Sequence, residues 1–155
     1  MRINFEARQR LIDVGVKPSL HRMAVMEYLM MNRVHPTADM VYSNLYNTIP
    51  TLSKTTVYNV LKLLEERGAL RSVYVDEKNV RYDADLTDHA HFKCVKCGAV
   101  RDLKLYRPLE SGDVEVPSGM DLGSCQIYFR GVCDKCKHGV KAEDNTEVKF
   151  TQCVN

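Results

Sequence analysis

The sequence of 155 residues contains no tryptophan, so no indole anchors a core or a stacking surface, and aromatic residues together make up only 8%. Glycine (8) and proline (5) are too sparse for a low-complexity or collagen-like chain. Neither sign of charge dominates: 22 Lys and Arg against 20 Asp and Glu leave +2, so no long acidic or basic tail organises the molecule. Long apolar runs are missing as well. The most apolar helical stretch, Met23 to Met31, is short and interrupted by Glu27, far below the roughly 20 residues of a membrane span. The opening residues Met1-Arg2-Ile3-Asn4-Phe5-Glu6 lack the apolar segment of a signal peptide, so a cytoplasmic setting is expected. Cysteine is absent up to Leu70, and all six cysteines follow it. In a reducing compartment they read as metal ligands or reactive thiols before they read as disulfides.

What is present falls into two unlike halves. The chain is 45% hydrophobic and 27% charged, the balance of a globular protein. Met1 to Leu70 holds 9 basic and 6 acidic residues, whereas the remainder holds 13 and 14. A mildly basic first half suits nucleic acid, although the surplus is small.

That first half reads as short helices. Arg8, Leu11 and Ile12 begin one that Gly15 closes before Pro18. Ser19 caps a second, with Leu20, Met23, Val25, Met26, Leu29 and Met30 as a broad apolar face. Thr37 caps a third, carrying Met40, Val41 and Leu45, and Ser53 caps a fourth from Lys54 to Arg67, which Gly68 ends. The period then changes: Leu70 to Val75 and Val80 to Tyr82 are β-prone runs joined by the polar turn Asp76-Glu77-Lys78-Asn79. Helices followed by a hairpin is the order of a winged helix-turn-helix, whose last helix enters the major groove of DNA. Lys54, Thr55, Thr56, Tyr58 and Asn59 would form its outer face, with Val57, Leu61 and Leu64 turned to the core. A small helical bundle with a solvated fourth helix has the same pattern.

The second half carries metal chemistry. Cys94-Val95-Lys96-Cys97-Gly98 and Cys133-Asp134-Lys135-Cys136 are two Cys-x2-Cys knuckles. Each turn points two thiolates at one centre, and together they complete a closed tetrahedral site suited to structural Zn²⁺. Reducible disulfides are the alternative. The insert between them has room for strands near Val100 to Leu105 and Gln126 to Val132. Just upstream stands Asp88-His89-Ala90-His91; in an extended segment His89 and His91 share a face, and Asp102 returns to it. Three N/O donors beside a thiolate site suit Fe²⁺, Mn²⁺ or Zn²⁺, but a surface histidine pair has the same spacing.

In combination these features resemble the ferric uptake regulator (Fur) family of bacterial metal-dependent repressors. His35-Pro36-Thr37-Ala38-Asp39, Ser53-x-x-Thr56-Val57-Tyr58-Asn59-x-Leu61, Asp88-His89-x-His91 and both knuckles stand in the family's order, from about Val16 to Cys136. The resemblance implies an α+β protein: an N-terminal winged helix-turn-helix domain over 1–84 and an α/β dimerisation domain over 85–155 holding the four-cysteine zinc. It further implies a homodimer that binds double-stranded operator DNA and performs no catalysis. A regulatory Fe²⁺ or Mn²⁺ would be held by His35, Asp83, His89, His91 and Asp102. Iron-sensing members usually carry Glu at the last position; with Asp102 this chain looks more like the peroxide-sensing (PerR) branch. There, peroxide oxidises a ligand histidine, His35 or His89 by position.

The chain departs from the family pattern in places. Cys125 stands eight residues before Cys133, where many iron sensors carry histidine, and Ala90 replaces another frequent ligand, so a complete additional site of that type is not expected. The stretch Pro108 to Gly119 is poor in helix formers where relatives carry a dimer-domain helix. Cys125 and Cys153 belong to neither knuckle and read as ordinary thiols. Rival readings are an iron- or zinc-responsive repressor without peroxide chemistry, a constitutive architectural DNA binder, and a zinc hydrolase. The last lacks His-Glu-x-x-His or any comparable motif.

Overall fold

The first half builds its helices where capping residues and apolar spacing coincide. In the computed structural model, which describes residues 2–76 and 79–138, α1 (Arg2–Asp13), α2 (Leu20–Met31), α3 (Ala38–Tyr46) and α4 (Lys54–Glu66) follow one another. Ser19, Thr37 and Ser53 sit in extended conformation at the starts of α2, α3 and α4, and each side-chain oxygen accepts a backbone N–H of the first turn. Val25, Met26, Leu29, Val41, Val57, Val60, Leu61 and Leu64 interlock with Ala7 and Leu11 of α1 into one core. Leu20, by contrast, is exposed. Helix α1 starts a turn and a half earlier than the apolar pattern indicates. Its buried stripe is Ala7 and Leu11, four apart, while Ile12 faces outward, and an alanine gives little hydrophobic signal for a helix start.

Gly15 and Gly68 end α1 and α4 in the left-handed conformation, with φ of 70° each. After Gly68 comes the wing, an antiparallel pair of β1 (Arg71–Val73) and β2 (Arg81–Asp83) in which Arg71 faces Asp83. It is shorter than the β-prone runs because Tyr74 donates its N–H to the Tyr128 hydroxyl (3.1 Å) instead of continuing the ladder. The helices and wing together form a winged helix.

The second half is a three-stranded sheet in the order β4-β3-β5. Strand β3 (His89–Cys94) pairs antiparallel with β4 (Val100–Lys104) and parallel with β5 (Ile127–Gly131), and a short helix α5 (Asp134–Lys137) follows. Register places His91 between Asp102 and Tyr128. Val73 and Val75 of the wing pack with Val100 and Tyr128 of the sheet, so the two halves share a small apolar contact. Between β4 and β5, among the described residues, the chain forms only a 3₁₀ turn at Ser111–Asp113 and is otherwise irregular and exposed, as its Gly and Pro content led one to expect. Among the described residues no helix is long and apolar enough to cross a membrane. Cys153 lies outside the described residues.

Leu61 is wholly buried at the centre of the helical core. Leu61→Ala is expected to lower the unfolding free energy of the first half by about 2–5 kcal/mol, read from denaturant melts of far-UV circular dichroism.

Candidate metal centres

The thiolate site grows from local backbone geometry. At the end of β3 the Cys94 carbonyl accepts the Gly98 N–H (2.9 Å), and Gly98 turns the chain with φ 72°, which brings Cys97 back beside Cys94. Val95 donates to the Gly131 carbonyl (2.8 Å), tying this turn to β5 and hence to the second knuckle at Cys133. The four sulfurs lie within 4.8 Å of one another, with Cys97 and Cys133 3.8 Å apart. That is the spacing of sulfurs around a tetrahedral ion at about 2.3 Å. Backbone N–H groups of Cys133 and Cys97 point at Cys94 and hold its thiol down at about 6. Cys136 faces the Cys133 thiol and is pushed up to about 12 by it and by burial. Four thiols converging in this way suit structural zinc, which removes the conflict by replacing their protons.

The second centre lies where the halves meet, and every residue predicted for it arrives there. His89 and His91 project from one face of β3, as the extended reading requires. The His89 Nδ1 donates to the Thr87 carbonyl (2.9 Å), which fixes the ring and turns Nε2 toward the site. Its Nε2 is 3.0 Å from His91 Nε2. Asp83, at the end of β2, accepts the Asp85 N–H on Oδ1 (2.7 Å) and turns Oδ2 to the imidazoles, 3.1 Å from His89, 3.7 Å from His91 and 3.9 Å from His35. Asp102 reaches in from β4, its Oδ1 2.9, 3.5 and 3.9 Å from the Nε2 atoms of His35, His89 and His91. Burial opposes the charge on Asp83, but His91, the Asp85 N–H and the other imidazoles outweigh it and hold its pKa below the usual carboxylate range.

His35 is held there against its own preference. It is the only non-glycine among the described residues with positive φ, 51°, and it precedes Pro36. Such a conformation costs roughly 1–3 kcal/mol and persists only where surroundings impose it. Arg81 Nη1 donates to the His35 carbonyl (3.0 Å) and the Tyr82 N–H to the Pro36 carbonyl (3.0 Å), pinning the loop to β2. The His35 ring is 1% exposed, yet His35 Nδ1 and His91 Nδ1 have no hydrogen-bond partner among the described residues, and His35 Nε2 and Asp83 Oδ2 meet only the other side chains of the cluster. Buried polar atoms left this way are rare. Five N/O donors around one point, several buried and unpaired, fit a divalent cation that accepts nitrogen and oxygen ligands. The Asp102 side chain, 29% exposed, is the donor most open to solvent.

Sequence reasoning missed the residues that support these ligands. Tyr128 stacks on His91 (centroids 5.7 Å, 29°), Arg71 Nε stands 3.6 Å from Asp83 Oδ2, and Arg81 fixes His35. For Tyr128 and Arg81 only alternation along β5 and β2 hinted at this, and for Arg71 on β1 nothing local did.

On α4, Thr55, Tyr58 and Asn59 share an exposed face. Thr56 is partly buried, its hydroxyl 2.8 Å from that of Ser53. Lys54 pairs with Asp39 (2.9 Å), but both are about as exposed as bound, at 61% and 59%. Such a surface pair exchanges partners at little cost.

A winged helix and a thiolate-clasped sheet that share one imidazole–carboxylate centre define the class of metal-responsive DNA-binding regulators. The profile of the ferric uptake regulator family matches residues 13–130. The chain is 32% identical to the peroxide operon regulator of Bacillus subtilis over 84% of its own length and 91% of that protein's. It is 30% identical to the peroxide-responsive repressor PerR of Staphylococcus epidermidis, covering 85% and 89%. Its fold is that of the Helicobacter pylori ferric uptake regulator Fur (TM-score 0.65, 20% identity, 88% of this chain and 92% of that one). This chain belongs to the ferric uptake regulator family.

Protons compete with zinc for the knuckle thiolates. Zinc affinity, followed by chelator competition, is expected to fall from about pH 8 to about pH 5, and its pH slope to steepen by one proton below about 6. Above that value Cys94 is already ionised; below it Cys94 too must release a proton.

Proposed function

We propose that this protein is a metal-dependent transcriptional repressor that releases DNA on exposure to peroxide. The observation that carries the metal dependence is the meeting of His35 and Asp83 with His89, His91 and Asp102 across the junction of the two halves. The division into a DNA-reading unit, 1–84, and a dimerisation unit, 85–155, follows the same junction. A cation held by all five residues fixes the angle between the units. In a homodimer that angle sets the separation of the two α4 helices, which must match half-sites about one helical turn apart, or a multiple of it, on double-stranded operator DNA. Thr55, Tyr58 and Asn59 would face base edges, and Lys54 and Thr56 the phosphates beside them.

Fe²⁺ or Mn²⁺ are the regulatory ions this donor set suits, while Cys94, Cys97, Cys133 and Cys136 hold structural zinc. The peroxide reading rests on the relatives, two of which are named for peroxide response at 32% and 30% identity, and on Asp102. Fe²⁺ held by these residues would supply the redox chemistry that activates peroxide, and Mn²⁺ in its place would react poorly. The residues that record the event are His35 and His89. The ring gains one oxygen at carbon, and the other peroxide oxygen leaves as water. An oxidised imidazole is a poor ligand, so the units lose their common partner and DNA is released. His35 contributes most to that loss, because its backbone conformation is already strained. The role is regulatory and not enzymatic, and the free thiols fit a cytoplasmic setting.

Peptide mass spectrometry after brief peroxide treatment tests this directly. The Fe²⁺-loaded protein is expected to gain one oxygen on a peptide containing His35 or His89 and to lose operator binding; the Mn²⁺-loaded protein is expected to do neither. DNA binding that survives peroxide in the Fe²⁺ form identifies an iron- or zinc-responsive repressor instead. Asp83→Ala and His91→Ala are each expected to abolish metal-dependent operator binding in mobility-shift assays. Unchanged affinity in both would mark a constitutive architectural binder.

A further inference from the structure

One face of β3 carries His89, His91 and, next in the alternation, Lys93. One face of β2 carries Arg81 and Asp83. The two ligand pairs meet at the metal centre, and the two cations meet at Asp76 in the wing. Lys93 Nζ donates to Asp76 Oδ1 (2.6 Å), and Arg81 Nε and Nη2 donate to Asp76 Oδ2 (3.1 and 3.0 Å). The remaining arm of Arg81, Nη1, reaches the His35 carbonyl (3.0 Å). All three side chains are about four-fifths shielded from solvent. A continuous chain of charge-assisted bonds thus runs from the sheet of one half, through the wing, to the strained backbone of a metal-site histidine in the other.

We propose that Arg81, Asp76 and Lys93 form one latch that positions His35 for metal binding: none of the three donates an atom to the ion, yet together they set the ion's affinity. The proposal rests on the reading of His35 as a ligand of the regulatory metal. The physical reason is that Asp76 holds the Arg81 guanidinium in one orientation, and in that orientation its remaining N–H reaches the His35 carbonyl. Lys93 fixes Asp76 to the same strand that supplies His89 and His91, so the latch aligns ligands from both halves before any ion arrives. Partners of this indirect kind typically contribute 10- to 100-fold in metal affinity.

The test is Mn²⁺ titration of the zinc-loaded full-length protein by chelator competition, with zinc content and melting temperature recorded for every variant. Arg81→Met, Asp76→Asn and Lys93→Met are each expected to weaken Mn²⁺ binding by about 10- to 100-fold while zinc content stays at the wild-type level. Lys93→Arg, which keeps the charge, is expected to restore wild-type affinity. The Arg81→Met/Lys93→Met double variant is expected to bind about as well as the weaker single variant, because both act through Asp76. Wild-type Mn²⁺ affinity in Lys93→Met and Asp76→Asn, or losses that multiply in the double variant, would overturn the latch. Should the wild type itself bind no Mn²⁺ beyond its zinc, the metal-site reading fails and the latch fails with it.

Discussion

Five side chains that no single segment of the chain supplies converge on one point between the wing and the sheet, and three of them are imidazoles whose Nε2 atoms crowd together. Ring nitrogens turned toward one another gain little from such company, and the buried carboxylate of Asp83 gains only what those rings, one backbone N–H and the nearby Arg71 guanidinium return. Each polar atom left unpaired in such a place costs about 1–3 kcal/mol. A cation held there would repair all of it at once. On the proposed reading, the pairing of the halves, the strain at His35 and the burial of Asp83 belong to a site that is satisfied only when occupied.

On the proposed reading, allostery needs no moving part beyond the junction. An ion that binds five ligands when the halves are together and at most three when they are apart has different affinities for the two arrangements, and that difference is the coupling. To swing such an equilibrium from one extreme to the other takes about 5.5 kcal/mol of differential binding. The thiolate centre contributes differently. Its cysteines sit at the ends of β3 and β5, the strands whose register sets His91 between Asp102 and Tyr128, and four thiolates around one zinc would leave no open position for chemistry. On the proposed reading, one metal makes the platform rigid and the other decides how the reader sits on it.

How much of this was readable beforehand depends on the range of each interaction. The knuckles were legible because two thiolates three positions apart converge through local turn geometry. The pairing of His89 with His91 was legible from strand alternation. His35 and Asp83 were not: a histidine before proline and an aspartate at a strand end have many uses, and only likeness to a family singled them out. The supporting shell was invisible, since Arg81 reaches His35 across 46 positions and Tyr128 meets Tyr74 across 54. Helix α1 was misjudged at its start for a related reason, its buried stripe there being a lone alanine. The absence of a helix between β4 and β5 was foreseeable from Gly112, Pro117 and Gly119.

The bridging ion is the claim on which the whole account stands, and anomalous diffraction from crystals of the Mn²⁺-loaded protein addresses it most directly. The account predicts one manganese peak per chain between the wing and the sheet, in coordination contact with His35 and Asp83 from one half and His89, His91 and Asp102 from the other. A manganese peak bound by His89 and His91 alone, with the His35 ring turned away into solvent, would contradict it.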